Sequence, residues 1–233
     1  MIGPVADKVA LDWYSGTPPF AITPLAGIRE RVGKTAEVTY SDGSDYAAAA
    51  ELATKADVAV VIIGNHPTCD AGWAKCPLPS DGKEAIDRKT LTLEQEQLAK
   101  AVLAANPKTI VVLQASFPFT TTWTQEHVPA ILEMTHNSEE QGEGLADVLF
   151  GDYNPAGRLT QTWVASMDQL PPMMDYDIRN GRTYMYLGSK PLYAFGYGLS
   201  YTKFTYSNLH VSGAHLAKDS TASVSVDVKN VGT

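Results

Sequence analysis

The stretch Val58-Ala59-Val60-Val61-Ile62-Ile63 is apolar at every position and is followed by Gly64-Asn65-His66. A strand of this kind must be covered on both faces, as in the middle of a sheet that has helices on both sides. Two further apolar, β-branched runs follow at residues 109–113 and 130–134. Because helical stretches separate these runs, the pattern predicts strands that alternate with helices in a parallel sheet.

The segments around these runs complete the predicted architecture. Residues 35–40 are interpreted as a further strand, and Ser44-Asp45 can cap a helix over residues 46–55. A helix with a hydroxyl cap and an acidic first turn is predicted to open at Thr92, and another spans residues 138–150. We therefore expect an α/β fold, a three-layer α/β/α sandwich with a mostly parallel sheet, whose ligand-binding loops follow the strand ends.

The C-terminal region has a different pattern. Residues 204–211 and 220–231 alternate polar and apolar positions, as half-buried antiparallel strands do. Two strands do not form a stable sheet alone. We therefore expect residues 1–203 to form the sandwich and residues 204–233 to begin an incomplete β-sandwich that is truncated. Unpaired strand edges recruit other chains, so a homo-oligomer is also expected.

Charge and hydropathy exclude two classes of partner. The 233 residues include 18 Lys and Arg against 26 Asp and Glu, a formal net charge of −8. Nucleic acid is excluded because its phosphates are bound by clustered basic side chains. A membrane span is excluded because the longest apolar run is far shorter than the ~20 residues required. The first residues lack a signal peptide's basic and apolar segments, so an export signal is absent or was removed.

No sequence motif supports metal, nucleotide or serine-hydrolase chemistry. The stretch from Gly27 to Thr35 resembles a phosphate loop but has one residue too many between its glycines. Gly33 is better explained as the end of a helix, with Arg29 and Arg31 near the helix's negative end. The sequence contains no HExxH, no GxSxG and no GxGxxG after a strand. We expect no metal and no cofactor.

The long loop after the first buried strand, residues 64–91, is the predicted site. A loop of this length in a compact domain is more often functional than idle. Carboxylates can bind hydroxyls or protonate a glycosidic oxygen, and an indole can cover a sugar ring, so the composition favours carbohydrate chemistry. The alternative is a solvated, charged loop. The candidate residues are His66, Asp70, Trp73, Asp81, Glu84, Asp87 and Arg88.

The two cysteines of the chain, Cys69 and Cys76, lie in the same loop. Their spacing does not match a CxxC redox motif, and they lack the neighbours of a zinc site. They form either a small disulfide, which suits the periplasm or a secreted protein, or two reduced thiols, which would fit the cytoplasm.

Five further motifs stand out along the chain. They are Gly3-Pro4 with Asp7, Tyr14-Ser15-Gly16-Thr17-Pro18-Pro19, Glu84-Ala85-Ile86-Asp87-Arg88, Gly151-Asp152-Tyr153-Asn154-Pro155-Ala156-Gly157-Arg158-Leu159 and Phe195-Gly196-Tyr197-Gly198-Leu199-Ser200-Tyr201-Thr202. Together they resemble the C-terminal part of glycoside hydrolase family 3, whose members are mainly β-glucosidases and β-xylosidases. Residues after about Phe204 resemble the start of the fibronectin type III-like domain that often follows in this family.

The resemblance implies a retaining hydrolysis of O-glycosyl bonds that is shared between two domains. In the family, a (β/α)8 barrel holds the aspartate nucleophile and the sandwich supplies a glutamate acid/base. By matching position Glu84 is the expected acid/base, with Asp81 and Asp70 as lesser candidates. Asp87, Arg88, His66 and Trp73 are the expected substrate-binding residues, and Asp87 and Arg88 could equally order the loop.

The expected partners follow from this division of the catalytic residues between two domains. We expect a β-linked glucoside or xyloside as substrate, and a barrel domain or subunit that this chain lacks. The competing hypothesis is a standalone sugar-binding or interaction module without hydrolytic activity, which would use Trp73, Trp123 and the C-terminal tyrosines.

Overall fold

The computed structural model describes residues 1–11, 14–69, 75–136, 139–213 and 215–232. In chain order the helices are α1 (Pro24–Val32), α2 (Tyr46–Thr54), α3 (Glu96–Ala105), α4 (Thr122–His127), α5 (Gln141–Phe150) and α6 (Thr183–Tyr186). The strands are β1 (Ala59–Gly64), β2 (Thr109–Gln114), β3 (Ala130–Met134), β4 (Phe204–Val211) and β5 (Val224–Asn230).

Three strands form the parallel sheet that the apolar runs predicted. The order is β1-β2-β3, with Val61 paired with Val111 and Val111 with Ile131. The N-terminal segment adds to the open side of β1, where Ile2 forms isolated parallel bridges with Val61 and Ser41. The carboxyl ends of β1, β2 and β3 therefore lie together at one edge of the sheet.

The sheet is covered on both faces, which confirms the three-layer architecture. On one face α2 and α3 pack against alternate strand residues, and on the other face α1 and α5 pack against the residues between them. The first core includes Ala49, Val61, Ile63, Leu98, Val102, Val111 and Leu113. The second core includes Val5, Ile28, Ile62, Val112, Leu145 and Ala146.

Two predicted helix ends are confirmed. The carboxylate of Asp45 accepts hydrogen bonds from the N–H groups of Ala47 and Ala48, so it caps α2. Gly33 ends α1 with φ 54°, and its N–H donates to the Arg29 carbonyl. The stretch that resembles a phosphate loop is therefore the end of a helix.

Two expectations about element bounds are wrong, and a third lies partly outside the described residues. Residues 35–40 are not a strand, and only Ser41 bridges Ile2, because no neighbouring strand pairs with this run. Helix α3 begins at Glu96, with Gln95 at the N-cap position and no capping side chain, so the Thr92 hydroxyl does not cap it. Helix α5 begins at Gln141, whereas its predicted start at Ser138 lies outside the described residues.

Strands β4 and β5 pair antiparallel as a separate two-stranded ribbon. The second strand begins at Val224 instead of residue 220, and the expected half-burial is wrong, since every residue of both strands is exposed. Between α5 and β4 the chain forms long loops, held in part by paired backbone hydrogen bonds between Trp163 and Tyr193. None of the described helices has the length and apolar character needed to cross a bilayer.

Candidate functional site

Glu84 lies at the tip of a tight hairpin in the long loop after β1. The backbone N–H of Lys83 donates to the Ile86 carbonyl at 3.2 Å, and the Ile86 N–H donates to the Lys83 carbonyl at 3.0 Å. Glu84 and Ala85 are the two residues of the turn, and Ala85 takes the positive φ of 64° that this turn requires. Both residues are exposed, so the turn presents the Glu84 carboxylate to solvent.

Arg88 fastens this hairpin to the rest of the domain. Its Nε donates to the Ser80 carbonyl at 2.8 Å, and its Nη1 donates to the Pro118 carbonyl at 2.9 Å. The guanidinium carbon lies 4.1 Å from the ring centroid of Phe117 and 4.6 Å from that of Phe119. Of the two roles expected for Arg88, these contacts favour ordering of the loop, because they join the hairpin to the segment that follows β2.

The surroundings of Arg88 leave it charged. Burial lowers the pKa of Arg88 to about 10, while the nearby Asp81 and Glu94 carboxylates act in the opposite direction. A pKa of about 10 still keeps the guanidinium protonated at neutral pH. Its Nη2 is buried and finds no hydrogen-bond acceptor among the described residues.

The packing of Arg88 also explains why a glycine, Gly82, stands two residues before Glu84. Gly82 is buried, and a Cβ added there would lie 2.4 Å from the Cγ of Arg88. A side chain at this position would therefore displace the arginine that holds the hairpin.

Asp81 and Ser80 belong to the base of the hairpin. The Leu78 N–H donates to Oδ2 of Asp81 at 3.1 Å, and the Ser80 hydroxyl donates to the Glu94 carboxylate. Burial raises the pKa of Asp81, and the Glu94 charge adds to this, whereas the Leu78 N–H and Arg88 oppose it. Asp81 thus lies in the supporting part of the loop, and Glu84 lies at its exposed end.

Tyr14 is a site residue that the sequence analysis missed. Its hydroxyl donates a hydrogen bond to Oε2 of Glu84 at 3.3 Å, across 70 positions of sequence. Tyr14 begins one of the motifs that carry the family resemblance, and this was the signal available in the sequence. The structure therefore brings two of these motifs, residues 14–19 and 84–88, into contact.

Of the other predicted residues, the structure describes His66 and Asp87. His66 is half-buried, and its Nδ1 lies 3.2 Å from the backbone nitrogen and 3.0 Å from the hydroxyl of Thr68. Asp87 is exposed on the hairpin. Asp70 and Trp73 lie outside the described residues.

Cys69 and Cys76 form a disulfide, with their Cα atoms 5.0 Å apart. The alternative of two reduced thiols is therefore not what the structure shows. The bond closes the first part of the long loop, immediately after the turn that holds His66.

The aromatic ring of Trp123, a candidate of the sugar-binding hypothesis, is already engaged by the protein. It stacks on the His127 ring with the centroids 4.7 Å apart, and Lys100 Nζ lies 5.0 Å from the ring centroid. These contacts occupy part of the indole surface that a sugar would use.

Two open cavities in the described part of the chain lie outside the hairpin. They have volumes of about 420 and 380 Å³, are lined by the loops between residues 160 and 195, and Glu84 lines neither. Within the described ranges, no three His, Cys, Asp or Glu side chains converge as a metal site. The hairpin is therefore an exposed edge, and a closed sugar pocket around Glu84 would need a further wall.

A comparison with known protein families identifies this domain. Residues 1–201 match the model of the glycosyl hydrolase family 3 C-terminal domain. The chain belongs to this family.

Similar proteins and structures agree with this assignment. The chain is 30% identical to a β-xylosidase from Formosa agariphila over 95% of its own length and 31% of that protein. It is also 30% identical to a periplasmic β-glucosidase from Salmonella typhimurium, over 100% of the chain and 35% of that protein. The chain thus spans about a third of these relatives.

The fold is also found in solved enzymes. A β-glucosidase structure from Erythrobacter marinus matches with a TM-score of 0.80 and 31% identity, over 99% of this chain and 34% of that one. The β-D-glucoside glucohydrolase from Trichoderma reesei matches with a TM-score of 0.81 and 26% identity, over 99% and 38% of the two chains.

Proposed function

We propose that this chain supplies the acid/base side of a retaining β-glycosidase site that acts on β-linked glucosides or xylosides. The observation that carries the proposal is the Glu84 hairpin, whose tip exposes a carboxylate while Arg88 fixes its base through two carbonyl hydrogen bonds. A proton donor must be held in place and yet reach the substrate, and this arrangement provides both.

The chemistry needs two carboxyl groups. In a retaining glycosidase one attacks the anomeric carbon, and the other, about 5 to 5.5 Å away, protonates the departing oxygen. Glu84 would give its proton to the glycosidic oxygen in the first step. As a carboxylate it would then take a proton from the water that hydrolyses the glycosyl intermediate.

The nucleophile would come from a (β/α)8 barrel. Two observations support this: the chain spans about a third of its relatives, and Glu84 lies at an exposed edge that needs a further wall. Tyr14 would keep the Glu84 carboxylate turned toward that wall through its hydrogen bond.

The assay uses p-nitrophenyl β-glucoside and p-nitrophenyl β-xyloside. The chain is measured alone and again with a separately produced barrel from a related enzyme. We expect turnover only in the mixture, and the more rapidly cleaved of the two glycosides identifies the substrate class. Robust turnover by the chain alone would contradict the proposal, because it would require a nucleophile within these residues.

The decisive variant is Glu84→Gln, which keeps the shape of the side chain but removes the proton. We expect it to lower turnover of the mixture by at least about 100-fold, the usual scale of general acid catalysis. Glu126→Gln is the matched control, an exposed glutamate of α4, and it should leave turnover unchanged. If the chain instead bound sugars calorimetrically with no effect of Glu84→Gln and no turnover in the mixture, the sugar-binding hypothesis would be favoured.

We also propose that the chain works in the periplasm or outside the cell. The Cys69–Cys76 disulfide and the periplasmic relative support this location, since disulfides persist in oxidising compartments. Thiol labelling of the protein in its native cells, without reductant, should find both cysteines blocked. Two labelled thiols would place it in the cytoplasm instead.

A further inference from the structure

The Cys69–Cys76 disulfide lies in the same loop as Glu84, ahead of the hairpin. It joins two residues that are 7 positions apart in sequence and brings their Cα atoms to 5.0 Å. Both cysteines are half-buried, so neither belongs to the closed core of the domain. The chain that connects β1 to the hairpin is therefore bridged by sulfur partway along its length.

The segment before the disulfide is fixed to the sheet. The Asn65 N–H donates to the Gln114 carbonyl at 3.1 Å, and Oδ1 of Asn65 accepts a hydrogen bond from the Ser116 N–H at 3.1 Å. Thr68 is buried, with 3% of its surface exposed. Cys69 is the next residue, so its sulfur is carried by a segment that is anchored at the carboxyl ends of β1 and β2.

The segment after the disulfide is short and stiff. Cys76 is followed by Pro77-Leu78-Pro79, and the ring of each proline fixes its φ. The next residue, Ser80, is buried at the base of the hairpin, where its carbonyl accepts the hydrogen bond from Nε of Arg88. The position of Cys76 therefore restricts the position of the hairpin base.

The backbone of Cys69 is held in an unusual conformation. Its φ is 66°, in the left-handed region that residues other than glycine rarely adopt. Such a conformation persists only where neighbouring contacts hold it. The contacts of Cys69 include the disulfide and the hydrogen bond from its N–H to the His66 carbonyl at 3.1 Å. Opening the disulfide removes one of them, so Cys69 can then return to an ordinary conformation and change the direction of the chain toward the hairpin.

We propose that the Cys69–Cys76 disulfide positions Glu84, so that acid/base catalysis depends on the oxidation of the two cysteines. Arg88 holds the hairpin on one side of Glu84, and the disulfide holds it on the other. Without the bond, the connection from β1 must run through every residue between the cysteines, and holding a longer connection in place costs more conformational entropy. The inference rests on the proposed role of Glu84 as the acid/base.

Oxidation of the pair is a thiol–disulfide exchange with a low-molecular-weight disulfide as the oxidant. The thiolate of one cysteine attacks a sulfur of the oxidant, whose other half leaves as a thiol. The thiolate of the second cysteine then attacks the mixed disulfide, forms the Cys69–Cys76 bond and releases a second thiol. The cysteines lose two electrons and two protons, and the oxidant gains them. The chain would thus gain full activity only in an oxidising compartment.

The first measurement does not depend on catalysis. Hydrogen exchange of the Lys83 and Ile86 amides, which close the hairpin, is followed in the full chain before and after reduction with dithiothreitol. We expect exchange at both amides to become at least about 10-fold faster on reduction, because local opening of the hairpin becomes easier. The Val112 amide in β2 should keep its protection, which would show that the domain remains folded.

The second measurement is turnover in the mixture of chain and barrel. Reduction should lower kcat/KM at least about 10-fold for phenyl β-glycosides and less than about 3-fold for 2,4-dinitrophenyl β-glycosides, because only the phenyl leaving group needs a proton. A merely structural loss would lower both values equally. The double variant Cys69→Ser, Cys76→Ser is the matched control. It should behave like the reduced wild type in both measurements and should not respond to dithiothreitol.

The two measurements separate this inference from the proposed function. Unchanged exchange at Lys83 and Ile86 on reduction would overturn the inference, and so would a loss of kcat/KM that is absent or equal for the two glycosides. If the oxidised wild type shows no turnover in the mixture, the proposed function and the catalytic part of the inference fail together. The exchange of the two amides then still decides whether the disulfide fixes the hairpin.

Discussion

At the residue scale, Arg88 holds the long loop after β1 in place, which no helix or strand of the loop does. Its guanidinium meets two carbonyl groups and two aromatic rings at once, which the planar, forked geometry of arginine allows and a lysine would not. One of these partners, the Pro118 carbonyl, is 30 residues away in sequence. Sequence spacing could therefore single out Arg88 in the loop but could not decide between its two roles.

Asp81 provides a pH-dependent test of the same loop. Burial raises the pKa of its carboxyl in the folded chain, so the folded state binds its proton more tightly than the unfolded state does. Stability from this group is therefore present at low pH and is lost as the pH rises from the unfolded to the folded pKa. Asp81→Asn, whose amide oxygen can still accept the Leu78 N–H, should become more stable relative to the wild type as the pH rises.

The measurement is urea unfolding of wild type and variant at several values from about pH 4 to about pH 7, where carboxyl groups titrate. Asp57→Asn, at an exposed position, controls for the loss of one negative charge. A stability difference between Asp81→Asn and the wild type that stays constant with pH would show that Asp81 is not buried as described.

At the scale of elements, α1 and α5 meet through glycine. A Cβ added at Gly142 would lie 2.1 Å from the Thr23 carbonyl oxygen, and one added at Gly27 would lie 2.2 Å from the Gly142 carbonyl carbon. The Gly142 N–H also donates to the Ile22 carbonyl at 2.9 Å. The helices that cover one face of the sheet can approach this closely only because both positions lack a side chain.

Gly142→Ala should therefore lower the free energy of unfolding by roughly 3 kcal/mol, the upper range for overpacking a closed contact. Gly144→Ala is the matched control, because it lies in the same helix with open space around its Cβ position. It should raise the free energy of unfolding by about 0.5 to 1 kcal/mol through helix propensity. Chemical denaturation measures both, and equal effects of the two variants would contradict the packing described.

The element bounds show what sequence patterns can predict in this fold. Strands β1 and β2 were predicted within two residues because they are mostly buried and therefore mostly apolar. Strand β3 matches its predicted range although its residues are exposed or half-buried. Residues 35–40 have similar strand propensity, yet β-propensity depends on a neighbouring strand, and here Ile2 alone bridges at Ser41. The register of β4 against β5 shifts between Ser207 and His210, and polar–apolar alternation alone does not reveal such a shift.

At the scale of the whole molecule, the candidate site is an edge instead of a pocket. Glu84 is singled out by its motif and by its place after a buried strand, and its role as the acid/base stays a prediction. Tyr14 begins another of the motifs, but only the folded chain shows that its hydroxyl lies beside Glu84, across 70 positions of sequence. Asp70 and Trp73 remain predictions. The assignment of residues 204–233 to a fibronectin type III-like domain also remains a prediction.

The most direct test of the central claim, that Glu84 donates the proton, compares leaving groups in the mixture of chain and barrel. We propose to measure kcat/KM, which reports the step that releases the leaving group, for phenyl and 2,4-dinitrophenyl β-glycosides with wild type and Glu84→Gln. We expect Glu84→Gln to lower kcat/KM at least about 100-fold for the phenyl glycoside. For the dinitrophenyl glycoside, whose leaving group departs without a proton, we expect a loss of less than about 10-fold. Equal losses for both glycosides would contradict it.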